Sequence, residues 1–113
     1  MKKDPIVFIG HILESIQLIE EYAARLTADT FKQDRPMQDA IIRRLEIIGE
    51  AVKNLPAPFR AKYPEVPWKE MAGMRDILVH EYFDVDLSLT WSVVCRELPS
   101  VKEKLQAILP SLE

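Results

Sequence analysis

At 113 residues the chain has room for one domain, residues 1–113, and too little for two. It is 48% hydrophobic and 29% charged, the balance of an ordinary globular protein, and no apolar run approaches the roughly 18 residues a membrane span needs. The formal net charge of −3 argues against a general nucleic-acid coat protein but leaves room for a local basic cleft, since binding depends on where charge sits. The single Cys95 excludes an internal disulfide and a cysteine-based zinc site. Nothing at the N-terminus reads as a signal peptide, so a cytoplasmic protein with no membrane contact is the expectation.

Asp4 before Pro5 opens the first element, because proline suits the first turn of a helix. Residues 5–26 then place Ile9, Leu13, Ile16, Ile19, Ala23 and Leu26 at spacings of three and four, the mark of an amphipathic helix. Pro36 opens a second helix over 36–55, with a stripe of Met37, Ile41, Leu45, Ile48, Val52 and Leu55 broadened by Ala40, Ile47 and Ala51. Gly49 inside it costs about 1 kcal/mol relative to alanine, which a close helix approach would offset. Residues 56–67 hold Pro56, Pro58, Pro64 and Pro67 and read as a connector with one short helical turn around 59–63. A third helix is expected from Pro67-Trp68 to about Phe83. The last runs from Asp86, a good N-cap, to about Leu109, kinked or divided by Pro99, on a stripe of Leu87, Trp91, Val94, Leu98, Val101, Leu105 and Ile108. The fold class is therefore all-α, an antiparallel four-helix bundle with a short extra helical turn in the proline-rich connector.

The chemistry gathers in Arg75-Asp76-Ile77-Leu78-Val79-His80-Glu81-Tyr82. Arginine binds phosphate in a planar, multidentate way, and histidine passes protons near neutrality. Together they are the minimum equipment for cutting an RNA backbone without a metal. If the segment is helical, Arg75 and His80 lie roughly 140° apart around the axis, while Asp76 and His80 are true i,i+4 neighbours. Asp76 could then fix the imidazole tautomer. Against this stands the plain alternative that an arginine and a histidine share a helix by chance. Trp68 and Trp91 read as core or interface anchors, Cys95 as a small buried hydrophobe, and His11 as structural or exposed. Arg43 and Arg44 are either surface charges or further cations for the same cleft.

These residues resemble the HEPN superfamily, specifically the HepT-like toxins that accompany minimal-nucleotidyltransferase antitoxins. The matching elements are Arg75-x-x-x-x-His80-x-Tyr82, the preceding Trp68-Lys69-Glu70-Met71-Ala72-Gly73-Met74, and Ile47-Ile48-Gly49-Glu50-Ala51-Val52-Lys53. Val85-Asp86-Leu87 and Glu97-Leu98-Pro99 also fit, so the resemblance covers nearly the whole chain. It implies a compact all-α homodimer whose two motifs meet at a cleft, and a metal-independent endoribonuclease needing no cofactor. Arg75 and His80 are then catalytic, Asp76 supports them, and Tyr82 is the tyrosine that the partner nucleotidyltransferase adenylylates. The position after the arginine is often asparagine in the family; here it is Asp76.

A dimer also makes chemical sense, because transfer to the 2′-hydroxyl needs both a base and an acid and one chain offers one suitable histidine. The expected substrate is RNA, either tRNA or mRNA, cut to a 2′,3′-cyclic phosphate, with a toxin-antitoxin system as setting. The competing reading is a non-catalytic dimeric interaction module that binds nucleotide or RNA and serves as the adenylylation target. A purely structural bundle is the third.

Overall fold

The computed structural model describes residues 4–74, 79–80 and 84–112; of residues 79–80 and 84–85 it describes the backbone. The architecture is all-α apart from one two-residue strand pair. Its elements are α1 (Pro5–Ala23), α2 (Ala28–Gln33), α3 (Arg35–Lys53), α4 (Ala57–Ala61), α5 (Trp68–Ala72), β1 (Val79–His80), β2 (Asp84–Val85), α6 (Leu87–Ser92), a π turn (Val93–Glu97), α7 (Leu98–Ile108) and a closing 3₁₀ turn (Leu109–Leu112). Among the described residues no helix is long and apolar enough to cross a membrane.

The helix starts follow from local chemistry. The Asp4 carboxylate accepts from the Ile6 amide at 3.0 Å with Pro5 behind it, and Asp34 accepts from the Met37 amide at 3.1 Å ahead of α3. Asp86 caps α6 by accepting from the Leu89 amide at 2.9 Å. The inner face of α1 is Ile9, Ile12, Ile16 and Ile19, all fully buried. Ile12 holds the place expected of Leu13, which is only partly buried. From α3 come Ile41, Leu45, Ile48 and Val52, and from the last helical run Val94, Leu98, Val101, Leu105 and Ile108. These three long runs, with α1 packed along α3 and against α7, enclose the core. Lys102 on α7 also reaches Glu20 on α1 at 2.8 Å, a half-exposed pair contributing at most about 1 kcal/mol.

Two elements differ from the expectation. Residues 28–33 form α2, which carries the fully buried Phe31 against Trp91, ring centroids 5.2 Å apart. Its start is a capping box between Thr27 and Thr30, without the usual glutamate. The expected third helix does not run to Phe83. It ends as α5 at Ala72, where Gly73 caps it, and although Met74 is again helical, His80 lies in a strand. Val79 and Val85 are β-branched residues suited to that strand pair.

Pro99 neither kinks nor breaks the last run. Lacking an N–H, it cannot satisfy the carbonyl four residues before it, and the helix widens into the π turn immediately upstream, with the Leu98 amide bonded to the Val93 carbonyl five residues back. The wider turn leaves Cys95 outside with Arg96 and Glu97, so Cys95 is exposed rather than buried.

Candidate active site

The approach to the Arg75 segment is pinned by packing. Trp68 opens α5 and is nearly buried; its indole N–H donates to the carbonyls of Arg60 at 3.1 Å and Tyr63 at 3.0 Å. Phe59 lies against the indole, centroids 6.2 Å apart. The tryptophan is thus the core anchor its sequence position suggested, and it ties α5 back onto the connector. Met71 is fully buried and Met74 almost so, so the chain is fixed on the residue just before Arg75.

Gly49 brings α5 close to α3. A Cβ there would stand 3.2 Å from the Ala72 carbonyl oxygen and 3.3 Å from that of Met71. Backbone carbonyls cannot swing aside as a side chain can. The glycine therefore serves the close approach of two elements, one of which leads directly into the candidate motif.

On the far side, β1 and β2 pair antiparallel with Val79 opposite Val85 and His80 opposite Asp84. Asp86 then caps α6. The candidate motif thus runs between a pinned entry at Met74 and a paired exit at Asp84–Val85. Of the four residues singled out from sequence, Arg75, Asp76 and Tyr82 lie outside the described residues, and His80 is described by its backbone. With His80 extended, the i,i+4 helical relation between Asp76 and His80 does not hold. Sequence reasoning passed over Asp84; the signal was two short polar-apolar pairs, 79–80 and 84–85, around a three-residue link, which is a known hairpin length.

A cavity of about 270 Å³ opens beside this entry, lined by Pro67, Met71, Met74, Leu89 and Val93 with Glu70 at its edge. Arg43 is exposed and lies 3.9 Å from Glu46 on its own helix, the surface-charge outcome of the two considered. His11 is exposed and meets Phe8 edge-on, centroids 6.1 Å apart. Among the described residues no cluster of His, Cys, Asp or Glu forms a candidate metal site.

An all-helical domain that presents an arginine and a histidine between a pinned helix and a strand pair belongs to the class of small helical chains whose chemistry sits at a break in the bundle. Residues 12–108 match the HepT-like family, described as ribonuclease HepT-like, and the chain belongs to that family. It is 55% identical over 113 residues to a Methanocaldococcus jannaschii protein whose name joins a gamma-glutamylcyclotransferase to an RNase; the match takes in all of this chain and 51% of that one. The chain therefore spans about half the length of that relative. It is 44% identical over 108 residues to a Thermococcus cleftensis protein named probable ribonuclease HepT, covering 96% of this chain and 98% of that one. A Caldanaerobacter subterraneus protein bearing an RNase name is 43% identical over 107 residues, with 95% and 96% covered. No solved structure matches the chain.

Proposed function

We propose that the protein is a metal-independent endoribonuclease and the toxin of a toxin-antitoxin pair, acting in the cytoplasm as a homodimer of four-helix bundles. The observation that carries this is the family match over residues 12–108, which contains the entire Arg75–Tyr82 run. The names of the relatives support the same chemistry.

In the proposed mechanism His80 takes the proton from the 2′-hydroxyl of RNA as that oxygen attacks the adjacent phosphorus. The partner's His80 gives a proton to the departing 5′-oxygen, and the two arginines at position 75 balance the charge of the pentacovalent phosphorane. The P–O5′ bond breaks as the P–O2′ bond forms, leaving a 2′,3′-cyclic phosphate and a 5′-hydroxyl. Asp76 supports the site from its place beside Arg75. No metal or other cofactor enters any step. Arg75→Ala should lower cleavage by about 10²–10³-fold, the usual loss when one stabilising donor to a developing oxyanion is removed. Unchanged cleavage by that variant would exclude Arg75 from the chemistry.

Regulation follows at Tyr82. An adenylyl group there adds negative charge within the reach of Arg75 and competes with the substrate phosphate. After co-expression with the cognate nucleotidyltransferase, peptide mass spectrometry should place an adenylyl adduct on the peptide containing Tyr82. Tyr82→Phe should keep its toxicity in the presence of that partner, and a neutralised complex with unmodified Tyr82 would contradict the proposal.

The net charge of −3 favours a second reading, a non-catalytic dimeric module that binds nucleotide or RNA and is itself the adenylylation target. A folded His80→Ala protein with full toxicity would support it.

A further inference from the structure

We propose that Asp84 is the positioning residue for His80, holding the imidazole so that one nitrogen is left free for proton transfer; this rests on the ribonuclease reading above. The observation is the strand register, which sets His80 and Asp84 directly opposite each other, with Val79 opposite Val85 in the adjoining row.

Residues directly opposite in an antiparallel pair share one face of the ribbon, and successive rows alternate between faces. The register therefore assigns the two chemistry-bearing residues to one face and the two valines to the other, the polar-and-apolar division that a hairpin half-facing a core requires. The competing carboxylate, Asp76, shares a face with His80 only if both belong to one helix. His80 is in β1, so that route is closed. Asp84 lies on β2, the strand that pairs with β1, and the pairing fixes its distance in sequence and in space at once.

A carboxylate opposite an imidazole accepts the proton of one ring nitrogen, selects that tautomer, and stabilises the imidazolium that forms when the other nitrogen takes the 2′-hydroxyl proton. In a dimer the same pair occurs twice, so Asp84 serves both the base and the acid. Asp84 touches no reacting atom in this scheme and acts through His80.

The test reads the ring directly. Imidazole ¹⁵N shifts are recorded for the full chain in the wild type and in Asp84→Ala, Asp84→Asn, Asp84→Glu and Asp76→Asn, with His11→Gln used to assign the two histidines. The wild type and Asp76→Asn should each show one dominant His80 tautomer. Asp84→Ala and Asp84→Asn should show a mixture, and Asp84→Glu should restore the wild-type pattern. In steady-state cleavage, Asp84→Asn should lower kcat at least about tenfold, below the roughly 10⁴-fold loss of a buried triad aspartate, with KM nearly unchanged. Unaltered ring shifts in both Asp84→Ala and Asp84→Asn would overturn the proposal, as would a tautomer lost in Asp76→Asn instead. A wild type that cuts no RNA contradicts the ribonuclease reading separately, and the ring shifts still decide the role of Asp84 in that protein.

Discussion

His80→Ala should lower RNA cleavage by at least about 10²-fold, to the level of the uncatalysed background in an ordinary assay. General acid-base catalysis by one placed group contributes about 10²–10⁴-fold, and in a symmetric dimer one substitution removes the base and the acid together. The two losses do not multiply, because groups acting as a unit are non-additive. Even the lower bound corresponds to about 2.7 kcal/mol of transition-state stabilisation. The described core contains no contribution from His80, being built from α1, α3, the connector, α5 and the last helical run, so the variant should remain folded. Single-turnover cleavage with a thermal melt on the same sample separates the two effects. A folded His80→Ala protein that cleaves like the wild type would remove His80 from the mechanism.

Gly49→Leu should cost about 2–3 kcal/mol of stability and most of the activity. A mid-helix glycine ordinarily forfeits about 1 kcal/mol relative to alanine, so on propensity alone any replacement gains. Position 49 reverses that sign. The first added carbon already sits 3.2 and 3.3 Å from two backbone carbonyl oxygens of α5, and leucine adds three more carbons toward them. Overpacking of this kind typically costs 1–3 kcal/mol, and here α5 must also shift. Because α5 carries Met71 and leads through Met74 into Arg75, the shift displaces the entry to the candidate site. For a domain of this size the melting temperature should fall by roughly 10 °C. Gly49→Ala should lie between, close to neutral. A Gly49→Leu protein as stable as the wild type would show that α3 and α5 are not held at this distance.

Much of the scaffold was legible because it rests on local rules. Asp4-Pro5, the spacing of Ile41, Leu45, Ile48 and Val52, and the Asp86 cap each act within one or two helical turns and appear in the structure as read. The tight approach at Gly49 was legible too, since a glycine in a wide apolar stripe has few other uses. What escaped was set by longer-range or competing effects. Helix α2 is six residues long and capped by Thr27 with Thr30, too short for periodicity to register. The segment after Ala72 has apolar residues that fit a helix or a strand equally well, and short apolar runs do not discriminate between the two. Cys95 was assigned to the interior on regular 3.6-residue geometry, which the π turn before Pro99 interrupts. In the candidate site the residue types were legible from sequence, and the partner across from His80 was not, because Asp84 comes into place through strand register rather than helical spacing.

The most direct test of the central claim is end-group analysis of RNA incubated with the purified, unmodified protein in excess EDTA. The account predicts cleavage that persists under chelation and yields 2′,3′-cyclic phosphate and 5′-hydroxyl ends, absent from a parallel His80→Ala sample. Cleavage that stops on chelation and returns with a divalent metal, or that leaves 5′-phosphate ends, would contradict it.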